Sequence, residues 1–186
     1  MLNQLLPISF SNTWYSEIDT GECSETLRSW LFDQSSLTEK LEQQCNKFHV
    51  RLRQQIAINP QKNPLSGYFL NEKQLLVREV LLYCDDVAMI CAQTEIPFST
   101  LTAQQATLAN LGEQSLGRVL FQDASMQRGT IEVCQFPEKS AVHQFTATIN
   151  QACEYALWAR RSFFYLNNKP LLVSELFLPA SGVYQK

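Results

Sequence analysis

Two charged residues sit where the pattern calls for apolar ones. Glu175 lies in Lys169-Pro-Leu-Leu-Val-Ser-Glu-Leu-Phe-Leu-Pro179, which reads as one apolar strand ending at Pro179. Side chains alternate along a strand, so Glu175 shares a face with Leu171, Val173 and Phe177. A carboxylate in such a row loses hydration, and its pKa is expected to rise unless a cation or donors meet it. Arg78 occupies a similar place inside Leu75-Leu-Val-Arg-Glu-Val-Leu-Leu-Tyr83, on a face with Leu76, Val80 and Leu82. One buried anion and one buried cation on two strands have two readings. They line a pocket for a small polar, anionic molecule, or they form a structural ion pair joining two core strands.

Other chemistry finds less support. Cys23, Cys45, Cys84, Cys91, Cys134 and Cys153 include no Cys-x-x-Cys pair, and His49 and His143 stand alone. Zinc and redox motifs need close ligand pairs, so no metal site is expected and the cysteines read as small buried thiols in a reducing compartment. Nothing around Cys134 and His143 supports a nucleophile–base pair. Ser115-Leu-Gly-Arg118 is not a phosphate-binding loop.

The elements that must position Arg78 and Glu175 follow from local signals. Ser24 to Phe32 is a short helical pattern with Leu27, Trp30 and Leu31 on one side. Ser36-Leu-Thr-Glu39 reads as a capping box opening a helix that runs to about Cys45. His49–Ile58 alternates as a half-buried strand, and Asn59–Gly67 is a loop by its prolines and glycine. Leu75–Cys84 and Val87–Ile96 flank Asp85-Asp86 as a hairpin. Thr102-Ala-Gln-Gln105 reads as a second capping box, with its helix stopped by Gly112. Ser115–Phe121 is a short helix or turn, and Gly129–Phe136 a strand. Tyr155–Leu166 and Leu171–Leu178 form a hairpin around Asn167-Asn168, residues that tolerate a left-handed turn. Strands joined by tight turns are antiparallel, so the expected class is α+β, with helix pairs against one sheet.

Composition sets the outer limits. At 186 residues, 45% hydrophobic and 18% charged, the chain is ordinary globular material and is expected to form a single domain, 1–186. A net charge of −3 provides no electrostatic attraction to nucleic acid or an anionic membrane. No stretch approaches the roughly 20 apolar residues of a membrane span, and Met1-Leu-Asn-Gln-Leu-Leu-Pro7 lacks the basic start of a secretory signal. A cytoplasmic monomer is expected.

With these elements in place, several blocks resemble the chorismate lyase family. They are Leu76-Val-Arg-Glu-Val-Leu-Leu82, Thr94-x-x-Pro97-x-Ser99-Thr-Leu101, Leu116-Gly-Arg-Val-Leu-Phe121, Leu157-Trp-Ala-Arg-Arg-Ser162 and the Lys169–Pro179 strand, in family order. The resemblance runs from about Trp30 to Tyr184. It implies an antiparallel sheet with helix-turn-helix flaps over a buried site, conversion of chorismate to 4-hydroxybenzoate and pyruvate at the head of ubiquinone synthesis, and no cofactor. It also implies roles. Arg78 grips the ring carboxylate, Glu175 meets the ring hydroxyl and shuttles a proton, Leu116 contacts the carboxylate end, and Leu37 is an apolar flap residue closing on the ligand. A planar guanidinium suits a carboxylate because it offers a bidentate fork.

Two departures stand out. Many family members carry an arginine where this chain has Gln93, and chorismate has two carboxylates. Arg118, Arg128, Arg160 and Arg161 have two readings: a substitute for that cation, or, more in keeping with their types, backbone caps and surface charges. Cys134–Asn150 separates blocks that are nearly adjacent in compact members and reads as a surface insertion. Two rival functions remain: a non-catalytic module binding small aromatic acids, or a lyase acting on a related enolpyruvyl acid. A regulator would need a DNA-binding domain, and about two dozen residues before the first helix are too few for one.

Overall fold

In the computed structural model, residues 5–8, 13–19 and 23–184 are described. The expected hairpins form where turn chemistry demands them. Strand β2 (Leu75–Cys84) pairs antiparallel with β3 (Val87–Pro97). Strand β6 (Leu157–Leu166) pairs with β7 (Lys169–Phe177) in the same way. Asp85 and Asp86 take φ of 48° and 65°, and Asn167 and Asn168 take 50° and 63°. Two successive left-handed residues match the right-handed twist of flanking strands, and Asp and Asn are among the few residues that accept them cheaply.

Three further strands complete one antiparallel sheet: β1 (Phe48–Ile58), β4 (Gln127–Arg128) and β5 (Glu132–Phe136). The order is β1-β2-β3-β7-β6-β4, with β5 also paired to β6. The strand expected at Gly129–Phe136 starts only at Glu132, and the two-residue β4 lies just before the expected span. Both faces of the sheet are covered, which is why β2 and β3 are buried almost throughout.

On the front face lie α1 (Glu25–Leu31) and α2 (Leu37–Glu42). Leu27, Trp30, Leu31, Leu37 and Leu41 pack there on sheet residues that include Val80, Ile90 and Phe177. The same face carries a 3-10 helix (Ala103–Asn110) and α3 (Leu116–Gln122), with Leu108, Leu111, Leu116 and Leu120 against Leu76, Ile96, Phe164 and Leu171. These two helix pairs are the flaps. Caps define their starts: Ser24, Ser36 and Ser115 each accept a bond from the backbone N–H three residues on. Helix α2 stops at Glu42, short of the expected Cys45. The second capping box is not realised. Thr102 makes no cap bond; its hydroxyl accepts from the Lys169 ammonium instead, and the segment winds as a 3-10 helix. Gly112, at φ 53°, ends it as expected.

The back face corrects the expectation of a surface insertion at 134–150. Cys134 and Phe136 belong to β5, and α4 (Ala141–Thr148) places Val142 and Phe145 in a cluster with Leu81, Cys91, Leu157 and Leu176. The segment is core because its apolar residues, with Leu6 and Ile8, bury the back face of the sheet. His143 anchors the helix: Nδ1 lies 2.9 Å from Ser140 Oγ and Nε2 lies 2.7 Å from the Tyr155 carbonyl. With both nitrogens engaged, it is no base for Cys134. Burial pushes the Cys84 thiol up to about 12, as befits an inert core cysteine. Among the described residues no helix is long and apolar enough to cross a membrane.

Candidate active site

Strand register stacks side chains into rows across the sheet. Arg78 on β2 opposes Thr94 on β3, Thr94 opposes Val173 on β7, and Val173 opposes Ser162 on β6. The adjacent row on the same face is Val80, Ala92, Glu175 and Arg160. Arg78 and Glu175 are thus two strands and one row apart. At about 4.8 Å per strand and about 3.4 Å per residue, their Cα atoms lie roughly 12 Å apart. Two long side chains reaching toward each other over that distance leave room for one small ring between them. The space is a cavity enclosed by the sheet below and the flaps above, lined by Arg78, Glu175, Leu37, Leu116, Arg128 and Arg160. All four residues singled out from the sequence are brought together there.

Arg78 is 1% exposed. Its Nη2 donates to the carbonyls of Gly112 at 2.9 Å and Gln114 at 2.8 Å. These bonds hold the loop between the second flap's helices. The buried Nε has no hydrogen-bond partner, and leaving such a donor unmade is costly. Burial brings the guanidinium down to about 10, so it remains a cation at neutral pH. A buried cation on a cavity wall with one N–H left unbonded suits an anionic oxygen.

Glu175 pairs with Arg160, not with Arg78. Arg160 Nε donates to Glu175 Oε2 at 2.6 Å, and its Nη1 donates to the carbonyls of Trp30 and Asp33, each at 2.9 Å. The structural reading that joined Arg78 to Glu175 is therefore set aside. Adjacency on neighbouring strands β6 and β7 makes the shorter pairing available. The cation that strand parity left open beside Glu175 is present, and it ties the first flap to the carboxylate's side of the cavity.

Arg128 is the further cation at this end. Its Nε donates to Ser162 Oγ at 3.1 Å and its Nη1 to the Asp33 carbonyl at 3.2 Å, while its guanidinium lies 5.1 Å from the centre of the Phe164 ring. Burial pushes it down to about 10, with Glu175 opposing that fall and Arg160 adding to it. Sequence reasoning held Arg128 and Arg160 only as stand-ins for a missing cation. Parity along β6 was the available signal, since Arg160 shares a face with Trp158, Ser162 and Phe164.

Gln93 lies on the opposite face, which corrects its assignment to the site. It opposes Glu79 on β2 and Ser174 on β7. Its Nε2 donates to Glu79 Oε1 and to the Leu6 carbonyl, both at 2.7 Å. The fully buried Glu79 also accepts from Leu6 N–H at 2.7 Å, from Gln54 Nε2 at 2.6 Å, and from Arg53 in an ion pair. A register shift between Leu52 and Gln54 is what aims both Arg53 and Gln54 at this carboxylate. The cation missing at position 93 is supplied on the back face by Arg53. Arg161 also points backward, bonded to Glu132 at 2.7 Å and lying over the Trp14 ring. Arg118 is on the flap surface, paired with Glu42.

The flaps meet over the cavity. Thr38 Oγ1 on α2 lies 2.7 Å from Ser115 Oγ, the cap of α3, and the Arg118–Glu42 pair bridges the same two helices. Gly117 is needed at the crossing: a Cβ there would sit 2.7 Å from Thr38 Oγ1.

Comparison with known proteins places this geometry among relatives. A sequence model described as chorismate lyase matches residues 9–186. A probable chorismate pyruvate-lyase from Psychromonas ingrahamii is 56% identical over 180 residues, covering 97% of each chain. A chorismate pyruvate-lyase from Erwinia tasmaniensis is 34% identical over 185 residues, covering 99% of this chain and 95% of its own. Among solved structures, the C-terminal domain of a histidine utilization repressor from Pseudomonas syringae aligns at TM-score 0.55 and 9% identity, covering 73% of this chain and 93% of that one. The effector domain of PhnF from Mycobacterium smegmatis aligns at 0.52 and 15%, covering 78% and 90%. These structural likenesses show a shared fold and nothing more.

Proposed function

The chain belongs to the chorismate lyase family, and from that premise we propose that the cavity under its two flaps is where it converts chorismate to 4-hydroxybenzoate and pyruvate. The observation that carries this reading is the pairing of ends: an unpartnered Arg78 N–H at one and the Glu175 carboxylate, held by Arg160, at the other. A ring carboxylate fits the first and a para hydroxyl the second. In the reaction the C4–H proton leaves, the C3–O bond breaks and the ring becomes aromatic. The departing enolpyruvate takes a proton at its methylene carbon to become pyruvate. Aromatisation supplies driving force, so the protein's task is to position the ring and move a proton. Arg78 fixes the ring, and Glu175, with one oxygen held by Arg160, offers the other to the C4 substituents. Leu37 and Leu116 shut out water from above.

The direct test is incubation of purified protein with chorismate. Stoichiometric appearance of 4-hydroxybenzoate and pyruvate is expected. Tight binding of 4-hydroxybenzoate without turnover would instead identify a non-catalytic binding module. The same reading takes the chain to act as a single-domain monomer in the cytoplasm, at the start of ubiquinone synthesis. Coverage of both sheet faces by its own helices supports the monomer.

Position 93 should be neutral for the substrate. Gln93→Arg places its new charge beside Glu79 and Arg53, behind the sheet, so KM for chorismate should stay within about twofold, the effect of a site with no shared partners. A tenfold fall in KM would return position 93 to the substrate. Gly117→Ala should act through the flaps. Its methyl group meets Thr38 where the helices cross, and overpacking of about 1–2 kcal/mol should speed 4-hydroxybenzoate release roughly 5- to 30-fold. Stopped-flow dissociation measures this, and an unchanged off-rate would mean the crossing does not gate the cavity.

A further inference from the structure

We propose that Arg128 receives the substrate's second carboxylate, that of the enolpyruvyl group, and so selects a dianionic ether over a simple benzoate. The proposal rests on chorismate being the substrate. Its first support is charge. The cavity wall carries Arg78, Arg128 and Arg160 against one carboxylate, Glu175. Arg160 is matched to Glu175, whereas the ion pairs among the described residues include neither Arg78 nor Arg128. Both bond only neutral oxygens, namely carbonyls and the Ser162 hydroxyl. Two largely buried cations without an ion-pair partner are expensive, and a ligand with two carboxylates relieves both at once.

Position supplies the second support. With the ring carboxylate at Arg78 and the C4 hydroxyl at Glu175, the C3 ether emerges one ring atom from Glu175. Its carboxylate then lies at the Glu175 end, too far from Arg78 for one guanidinium to serve both. Arg128 reaches that end. It is bonded to Ser162, one row from Glu175 on the same face, and Glu175 and Arg160 are the charges that bear most strongly on it. Its Nε and Nη1 are engaged, and no hydrogen bond of its Nη2 occurs among the described residues. The other candidates are committed elsewhere: Arg160 to Glu175, Arg161 to the back face, and Arg118 to the exposed Glu42 pair.

Arg128 also touches the turn at Asp33 and Ser35, so its test must separate substrate contact from flap support. The product lacks the enolpyruvyl group and makes the separation. Arg128→Gln should lower kcat/KM for chorismate about 10- to 100-fold, the range for a hydrogen bond to a charged group, while Kd for 4-hydroxybenzoate stays within about threefold. A 4-hydroxybenzoate bearing a carboxymethoxy group at position 3, a non-reacting dianion, should lose affinity in parallel with kcat/KM. Arg128→Lys should recover part of both and serves if the glutamine variant does not fold. Equal losses for product and substrate would assign Arg128 to the flap turn, and no loss for either would leave it without a role; each overturns the proposal. A wild-type protein that neither turns over chorismate nor binds 4-hydroxybenzoate would instead reject the proposed function beneath it.

Discussion

Glu175→Gln should cut kcat by about 10²–10⁴-fold, the usual contribution of a positioned proton-transfer group, while leaving KM for chorismate nearly unchanged. Glutamine keeps an oxygen for Arg160 Nε and the shape of the cavity wall, but it cannot accept the proton that leaves C4. The pair with Arg160, a residue only 1% exposed, adds a second readout. Taking the negative charge from a buried pair strands the cation, so the melting temperature should also fall. The two effects are separable because activity can be measured well below the melting transition. A variant that melts earlier yet turns over normally would make Glu175 a clamp for Arg160 and the first flap. A stable and fully active variant would remove it from both roles.

Arg78→Ala should weaken 4-hydroxybenzoate binding by about 2–5 kcal/mol, the cost of truncating one partner of a buried charged contact, or roughly 30- to several thousandfold in Kd. The unmet Nε is the reason to expect a large effect. A buried N–H without a partner is costly, so a ligand oxygen that reaches it gains the full worth of the bond. Calorimetry with the product reads the loss directly. A Kd within twofold of wild type would mean that the ring carboxylate sits elsewhere. The loop carbonyls of Gly112 and Gln114 lose their donor in the same variant, and Arg78→Lys separates that contribution. Lysine can keep one carbonyl and the charge but not the planar fork, so an intermediate affinity is expected.

What the chain settles by itself is local. Paired Asp85-Asp86 and Asn167-Asn168 set two hairpins, because a two-residue left-handed turn is decided by the residues that occupy it. Parity along each strand placed Arg78 and Glu175 on apolar faces, since alternation is a property of one strand alone. The serine cap at 36 marked a flap helix for the same reason. Thr102 does not cap its segment, and its hydroxyl accepts from Lys169, distant in sequence.

Everything that depends on which strands are neighbours, and in what register, required the tertiary structure. Placing β7 beside β6 paired Glu175 with Arg160 rather than Arg78. Setting Glu79 opposite Gln93 turned that glutamine away from the cavity, and the bulge in β1 brought Arg53 to Glu79. The apolar faces of β5 and α4 became core only when the back of the sheet needed covering. A side chain's parity is encoded within a few residues, but the partner it meets is chosen by register across strands. Register is the outcome of burying all the apolar faces at once.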